Sequence, residues 1–325
     1  VRVFVTGGNG FIGSAVVREL VRRGHGVRCL LRPSSRTDRL DGLDYERAIG
    51  DVRDSASLEP AVEGSDAVVH LAGVSSWNDI ESPLMEEVVV GGTENVLRAA
   101  RNTSVQRLVV VSSSIAVNGT PRPLVQDEAS PFELDVSRPG FRYARAKRQV
   151  ETLCQAAAAE GVPVTVVNPC EVYGPRDVDL ITSGNLLDFI KSWPALVCSG
   201  GTSVVHVDDV AAGIASALER GRPGARYILG GDNLTIRELA ALTLELAGRK
   251  KPILTMPNWL IRGLAKLGSR LRVPLPFNPA VIPYATLYWF MDNARARTEL
   301  GVTFRDARAT LSPTLAWLQA AGHIQ

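Results

Sequence analysis

Short apolar runs rich in β-branched residues alternate with helix-patterned stretches through the first half of the chain. They cover residues 1–5, 27–31, 45–49, 67–70, 108–111 and 164–167. Several are apolar at every position instead of alternate ones, as in strands covered by helices on both faces. The rhythm predicts an α/β fold with a doubly wound parallel sheet. After Asn168 and Pro169 it loosens, with breakers at Gly174, Pro175, Gly184, Pro194, Gly200 and Gly201. Helical patterns over 236–247 and 307–320 stand there without regular strand partners, which predicts a smaller, mainly helical C-terminal lobe. Residues 204–207, followed by a helical pattern over 208–218, read as a strand and helix returning to the sheet.

The chain has 325 residues, 45% of them apolar, with 36 Lys and Arg against 34 Asp and Glu, a net charge of +2. This balance excludes a disordered chain and lends no support to a nucleic-acid partner. The four cysteines, Cys29, Cys154, Cys170 and Cys198, form no C-x-x-C pair. Zinc and a disulfide framework are therefore disfavoured, no metal is expected, and the cysteines read as packing residues. The opening apolar run is too short for a signal peptide, and no stretch reaches the roughly 18 apolar residues of a spanning helix. The expectation is a cytoplasmic protein without a membrane partner.

The most specific local motif is Thr6-Gly7-Gly8-Asn9-Gly10-Phe11-Ile12-Gly13, where the first strand ends and an amphipathic helix begins. Glycines there permit a tight turn and bring backbone N–H groups close to a pyrophosphate. Gly13 lets the helix approach the strand, and the helix N-terminus favours negative charge. This makes residues 1–168 a dinucleotide-binding (Rossmann) domain, rejoined by 203–220, and assigns 169–202 and 221–325 to a substrate-binding lobe. Arg32 stands at the end of the second strand, followed by Ser34, Ser35 and Arg36, with no carboxylate before Asp38. A cation there suits the 2′-phosphate of NADP over the 2′-hydroxyl of NAD; the alternative is an exposed surface arginine. Asp51, with Val52 beside it, is either an adenine contact or a turn residue. Leu71-Ala72-Gly73 is small enough for backbone to run beside the cofactor, and His70 reads as a packed strand residue.

Tyr143 and Lys147 lie four apart in a helical pattern and share one face. Five lysines and six tyrosines would give only about 0.1 such pairs by chance. A phenol titrating near 10 needs an adjacent cation to exchange protons near neutral pH, and Lys147 is placed to supply it. Ser112-Ser113-Ser114 follows a central strand at its carboxyl end, where open α/β sheets bind ligands. A serine there either polarises a substrate carbonyl or simply forms the turn.

Together with Asn168-Pro169-x-x-Val172-Tyr173-Gly174-Pro175, Val205-His206-Val207-Asp208-Asp209-Val210 and the segment from Asp292 to Gly301, these motifs resemble the extended short-chain dehydrogenase/reductase family (NAD-dependent epimerase/dehydratase type) over nearly the whole chain. Residues 31–35 and 221–231 look most like its dihydroflavonol-4-reductase-like members and the related bacterial sugar-epimerase-like group. The resemblance implies Ser114, Tyr143 and Lys147 as the catalytic trio. Cofactor contacts would come from Gly7, Gly10, Phe11, Ile12, Gly13, Arg32, Ser35, Arg36, Asp51, Val52, Leu71, Ala72, Gly73, Ser112, Tyr143, Lys147, Asn168 and Pro169. One departure is Val89, where the family often has asparagine. For substrate the candidates are Ser75, Ser76, Trp77, Ser114, Cys170, Glu171 and Asn185; Trp77 either stacks on a ring or plugs the core. His206 and Asp208 read as a helix start with Asp208 as N-cap.

The leading expectation is an NADP-dependent oxidoreductase that reduces a small-molecule carbonyl, or oxidises a carbinol. Its rivals are a nucleotide-sugar 4-epimerase or dehydratase with retained NAD, and a non-catalytic dinucleotide sensor. A homodimer is implied by the resemblance alone.

Overall fold

The computed structural model describes all residues except Ser75, Asn78, Ser104, 272–274, Pro276 and Gln325. In chain order its first half runs β1 (Arg2–Thr6), α1 (Phe11–Arg22), β2 (Gly26–Leu31), β3 (Glu46–Ile49), α2 (Ser55–Val62), β4 (Ala67–His70), α3 (Gly92–Asn102), β5 (Arg107–Val111), β6 (Val125–Gln126), α4 (Arg142–Ala159) and β7 (Val164–Pro169). Then come β8 (Glu171–Tyr173), α5 (Ser183–Lys191), β9 (Ala195–Cys198), β10 (Gly201–His206), α6 (Val207–Arg220), β11 (Arg226–Leu229), β12 (Asp232–Thr235) and α7 (Ile236–Leu246). The chain closes with β13 (Ile253–Met256), α8 (Asn258–Leu271), α9 (Ile282–Ala285), β14 (Tyr288–Met291), α10 (Ala294–Leu300) and α11 (Ala307–Ala320).

Seven parallel strands form the central sheet in the order β11-β7-β5-β4-β1-β2-β3. Strands β4 and β7 are buried at every residue, which is why their sequences carry no alternation. The chain moves outward from β1 through β2 and β3, then crosses back to β4. The order therefore reverses between β1 and β4, and a ligand crevice opens beyond their carboxyl ends. Helices α1 and α6 pack together on one face, and α2, α3 and α4 form a layer on the other.

The second lobe holds its own apolar core, in which Tyr173, Leu186, Phe189, Leu239 and Leu311 are buried together. Helix α7 starts at a reciprocal cap between Thr235 and Glu238. Short strands accompany the helices: β10 pairs with β8, β12 and β14, and β14 pairs with β6. Two expectations shift here. The strand over 204–207 joins this small sheet instead of returning to the central one, although α6 does return and packs on α1. Conversely β11, placed by sequence in the second lobe, is the outer strand of the central sheet. The edge position explains the miss, because its neighbours in sequence are turns and not a full βαβ unit. His206, not Asp208, caps α6: its Nδ1 accepts the Asp208 N–H at 3.1 Å.

Among the described residues no helix is long and apolar enough to cross a membrane.

Candidate active site

The glycine loop is built by close approach. Gly7 has φ +70°, and a Cβ on it would stand 2.7 Å from the Ala72 nitrogen, so β4 and the loop meet backbone to backbone. A Cβ on Gly13 would lie 2.0 Å from the Gly7 carbonyl oxygen. Gly10 N–H donates to that same oxygen at 3.1 Å and closes the turn onto α1. Helix α1 has no side-chain cap and no acidic residue in its first turn, leaving its N-terminal amides free of a competing anion. Phe11 is buried, with its ring against Gly174, and Ile12 is half-buried. Leu71 and Ala72 border the loop, and Gly73 is exposed beside them. His70 is held between Thr6 Oγ1 at 2.7 Å and Thr93 Oγ1 at 3.1 Å. Burial pushes its pKa down to about 3, with the Lys147 charge acting the same way, so it is a neutral packed strand residue.

At the end of β2 the backbone turns through Arg32, whose N–H donates to Ser35 Oγ at 3.0 Å. Arg36 is paired with Asp38 at 2.9 Å, and Arg39 with Asp179 at 2.7 Å. Among the described residues the Arg32 guanidinium has no hydrogen bond or ion pair, so it is a solvent-facing cation at the expected place. Asn9 ties this segment to the glycine loop by donating to the Arg36 carbonyl at 3.0 Å; the sequence reading missed it. Asp51 sits in a turn, where it accepts the Arg53 N–H at 2.9 Å and pairs with the Arg53 guanidinium at 2.8 Å. Val52 is buried against Gly92 at the start of α3.

Tyr143 and Lys147 project from the first turns of α4. Lys147 Nζ donates to the Val111 carbonyl at 3.2 Å and lies 5.9 Å from the Tyr143 ring centroid. Burial lowers the Lys147 pKa to about 8, with the Glu151 charge opposing. The expected depression of the phenol pKa is absent: burial raises it, and a hydrogen bond with Ser113 acts the other way. The phenol is thus a protonated donor across the neutral range.

The serine run sends its hydroxyls to different partners. Ser112 turns its hydroxyl away to Glu151, at 3.0 Å. Ser113 is extended, at φ −160°; its Oγ accepts the Ile115 N–H at 3.3 Å, and its hydroxyl also acts on the Tyr143 phenol, opposing the upward shift from burial. Ser114, the serine the resemblance implies, begins a 3₁₀ turn and is buried, where its hydroxyl acts to lower the Cys170 thiol pKa against the larger effect of burial. Alternation along the extended chain followed by the turn at Ser114 produces this arrangement. Asn168 braces the run by donating from Nδ2 to the Ser113 carbonyl at 2.9 Å, while its buried Oδ1 has no partner. Pro169 ends β7 beside it.

Beyond the phenol stands an aromatic wall that no sequence signal announced. Tyr284 packs edge-on against Trp77 (centroids 5.8 Å apart), Phe141 (5.3 Å) and Tyr143 (6.5 Å). Trp77 also donates Nε1 to the Ile181 carbonyl at 2.8 Å. Two substrate candidates meet directly: Glu171 Oε1 accepts from Asn185 Nδ2 at 2.6 Å and from Tyr173 OH at 2.7 Å. Cys170 is buried, its thiol pushed up to about 12. Ser75 lies outside the described residues. Val89 is buried, and its carbonyl accepts the Thr93 hydroxyl at 2.6 Å, within a π-helical stretch over Met85–Gly91.

The sequence of residues 3–230 matches the NAD dependent epimerase/dehydratase family. The chain belongs to that family. It is 34% identical to "Sterol demethylase protein B" of Methylococcus capsulatus, over 98% of this chain and 99% of that one. A Synechocystis protein named after dihydroflavonol 4-reductase is 30% identical, over 99% and 96%. The solved structure of a nucleoside-diphosphate-sugar epimerase from Pseudomonas aeruginosa superposes with TM-score 0.81 at 28% identity, covering 100% of this chain and 99% of that one. This member of the epimerase/dehydratase family is thus an oxidoreductase-type enzyme with a Rossmann domain of the kind that binds NAD(P). The residues present fit such a cofactor: a glycine cradle that any Cβ would fill, uncapped α1 amides, and an orphaned Asn168 Oδ1.

Proposed function

We propose that this enzyme is an NADP-dependent reductase, or dehydrogenase in the reverse direction, acting on an apolar carbonyl compound. The observation that carries the reading is the half-buried Tyr143 phenol, bonded to Ser113 and one turn from buried Lys147, at the carboxyl edge of the sheet that bears the glycine loop.

Gly7, Gly10, Gly13 and the α1 amides would hold the pyrophosphate, and Arg32 a 2′-phosphate. When bound, the dinucleotide supplies hydride. Tyr143 holds the proton: its phenol donates to the carbonyl oxygen as negative charge grows there, and Ser113 fixes the phenol and the oxygen in place. Lys147 keeps a positive charge beside the phenolate left behind. Such acid catalysis contributes about 10²–10⁴ in rate. Half-buried Trp77, backed by buried Tyr284, gives the substrate an apolar, ring-accepting wall, and Glu171 supplies a carboxylate that welcomes a hydroxyl donor and repels a diphosphate. The names of the Methylococcus and Synechocystis relatives support sterol-like or flavonoid-like ketones.

The test is binding of NADPH and NADH to wild type and Arg32→Asp, followed by turnover on sterol ketones, flavonoid-like ketones and nucleotide sugars. NADPH preference that weakens in Arg32→Asp, with turnover of apolar ketones, is expected. Equal preference in both proteins would remove Arg32 from the account. Turnover confined to nucleotide sugars would move the enzyme to the epimerase reading.

A further inference from the structure

Charge is distributed unevenly along this chain. Between Glu245 and Asp292 there are seven Lys and Arg and no Asp or Glu, whereas the remainder carries 29 cations against 34 carboxylates. Helix α8 lies within that cationic stretch. Its inner face buries Ile261 and Ala265 against Cys198 and Ile282. On its outward face Trp259 is 75% exposed and Leu267 54% exposed, beside exposed Lys266 and Arg270. At 100° per residue, Trp259, Gly263, Lys266 and Arg270 fall within an arc of about 60°. Leu267, Leu260 and Leu264 continue the apolar side of that arc, while Arg262, on its other flank, donates to Thr286 Oγ1 at 3.0 and 2.7 Å. Leu254, on the strand leading into α8, is 53% exposed. Trp193 is 72% exposed next to Ser192, whose carbonyl accepts from Lys251 Nζ at 2.7 Å.

Large apolar side chains left in water beside exposed lysine and arginine are the signature of a helix that lies in a membrane interface. We propose that α8 docks this enzyme on an anionic lipid bilayer, lying in the interface plane with Trp259 and Leu267 among the acyl chains and Lys266 and Arg270 at the head groups. Charge complementarity selects this occupant. A second copy meeting the first through α8 would oppose two cationic faces, and the exposed indole and leucine have no use in contacting phosphates alone. The placement also serves the proposed function, on which this clause alone rests. Ile282, under α8, is two residues from Tyr284, which packs on Tyr143, so a ketone dissolved in lipid would enter beside the aromatic wall.

Co-sedimentation of the purified full chain with phosphatidylcholine vesicles, with and without phosphatidylglycerol, tests the inference without reference to turnover. Wild type is expected to partition onto the anionic vesicles roughly tenfold or more over the neutral ones, with the difference shrinking at high salt. Trp259→Ser/Leu267→Ser and Lys266→Glu/Arg270→Glu should each lose that partitioning while keeping wild-type circular dichroism and dinucleotide binding. Absence of wild-type binding to anionic vesicles, or charge-reversed protein that binds as well as wild type, would overturn the proposal. So would sedimentation of wild type as a dimer that Trp259→Ser/Leu267→Ser dissolves, because a second copy would then own the face.

Discussion

Glu151 accepts the Ser112 hydroxyl at 3.0 Å from a position one helical turn beyond Lys147. Its carboxylate is 1% exposed, and it also takes the Asn168 amide and the Arg226 guanidinium, the latter at 2.9 Å. One buried charge therefore joins α4, the serine run at the end of β5, Asn168 on β7 and Arg226 on β11.

Removing that charge leaves the largely buried Arg226 guanidinium with only the Glu128 carbonyl as partner among the described residues and frees the serine run. Glu151→Ala should lower stability by about 3–5 kcal/mol, read as a shift of the urea midpoint at unchanged slope. A loss below about 1 kcal/mol would mean that Arg226 and Ser112 find other partners.

Lys147 gives a pH signature. Its folded pKa is held down at about 8 by burial, against an ordinary value of 10.5. Below pH 8 both folded and unfolded chains carry the proton. Between the two values the unfolded chain holds more protons, so stability should rise with pH across that window, and Lys147→Met should flatten the rise. The ketone reductase rate should fall as pH climbs through 8, because the ammonium that steadies the phenolate is lost. Chemical denaturation and initial rates over pH 6–11 check both signs.

Packing at the glycine loop leaves no room for a methyl group. In Gly13→Ala the new Cβ would meet the Gly7 oxygen at 2.0 Å, so α1 must retreat from the loop. Dinucleotide affinity should drop at least tenfold, with roughly 1–3 kcal/mol of lost stability, read by fluorescence titration and thermal melting. Wild-type affinity would mean that the helix can shift without disturbing the cradle.

The two serines are separable. The Ser113 hydroxyl acts on the Tyr143 phenol and the Ser114 hydroxyl on the Cys170 thiol, so Ser113→Ala should depress kcat more than Ser114→Ala. The opposite ranking would return the carbonyl-holding role to Ser114, where the family resemblance puts it.

The sheet was legible because its strands are buried on both faces and flanked by turn signals, and the glycine loop because backbone approach demands glycine at Gly7 and Gly13. Tyr143 and Lys147 were legible because helical spacing alone puts them on one face. Glu151 continues the same spacing and could have been found by it. What sequence could not give was long-range closure. Nothing near Tyr284 signals that it returns over Tyr143, and a triple serine does not say which hydroxyl the ensuing turn presents. Strand β11 was misplaced for a related reason: an edge strand after a loop has no periodic partner to announce it.

The central claim is that the Tyr143 phenol is the proton donor to a substrate carbonyl. Single-turnover transfer of deuterium from 4-deuterated NADPH to an accepted ketone, in wild type and Tyr143→Phe, tests it most directly. Unchanged cofactor affinity with transfer slowed by about 10²-fold or more in Tyr143→Phe is the predicted result. Transfer at the wild-type rate in Tyr143→Phe would contradict it.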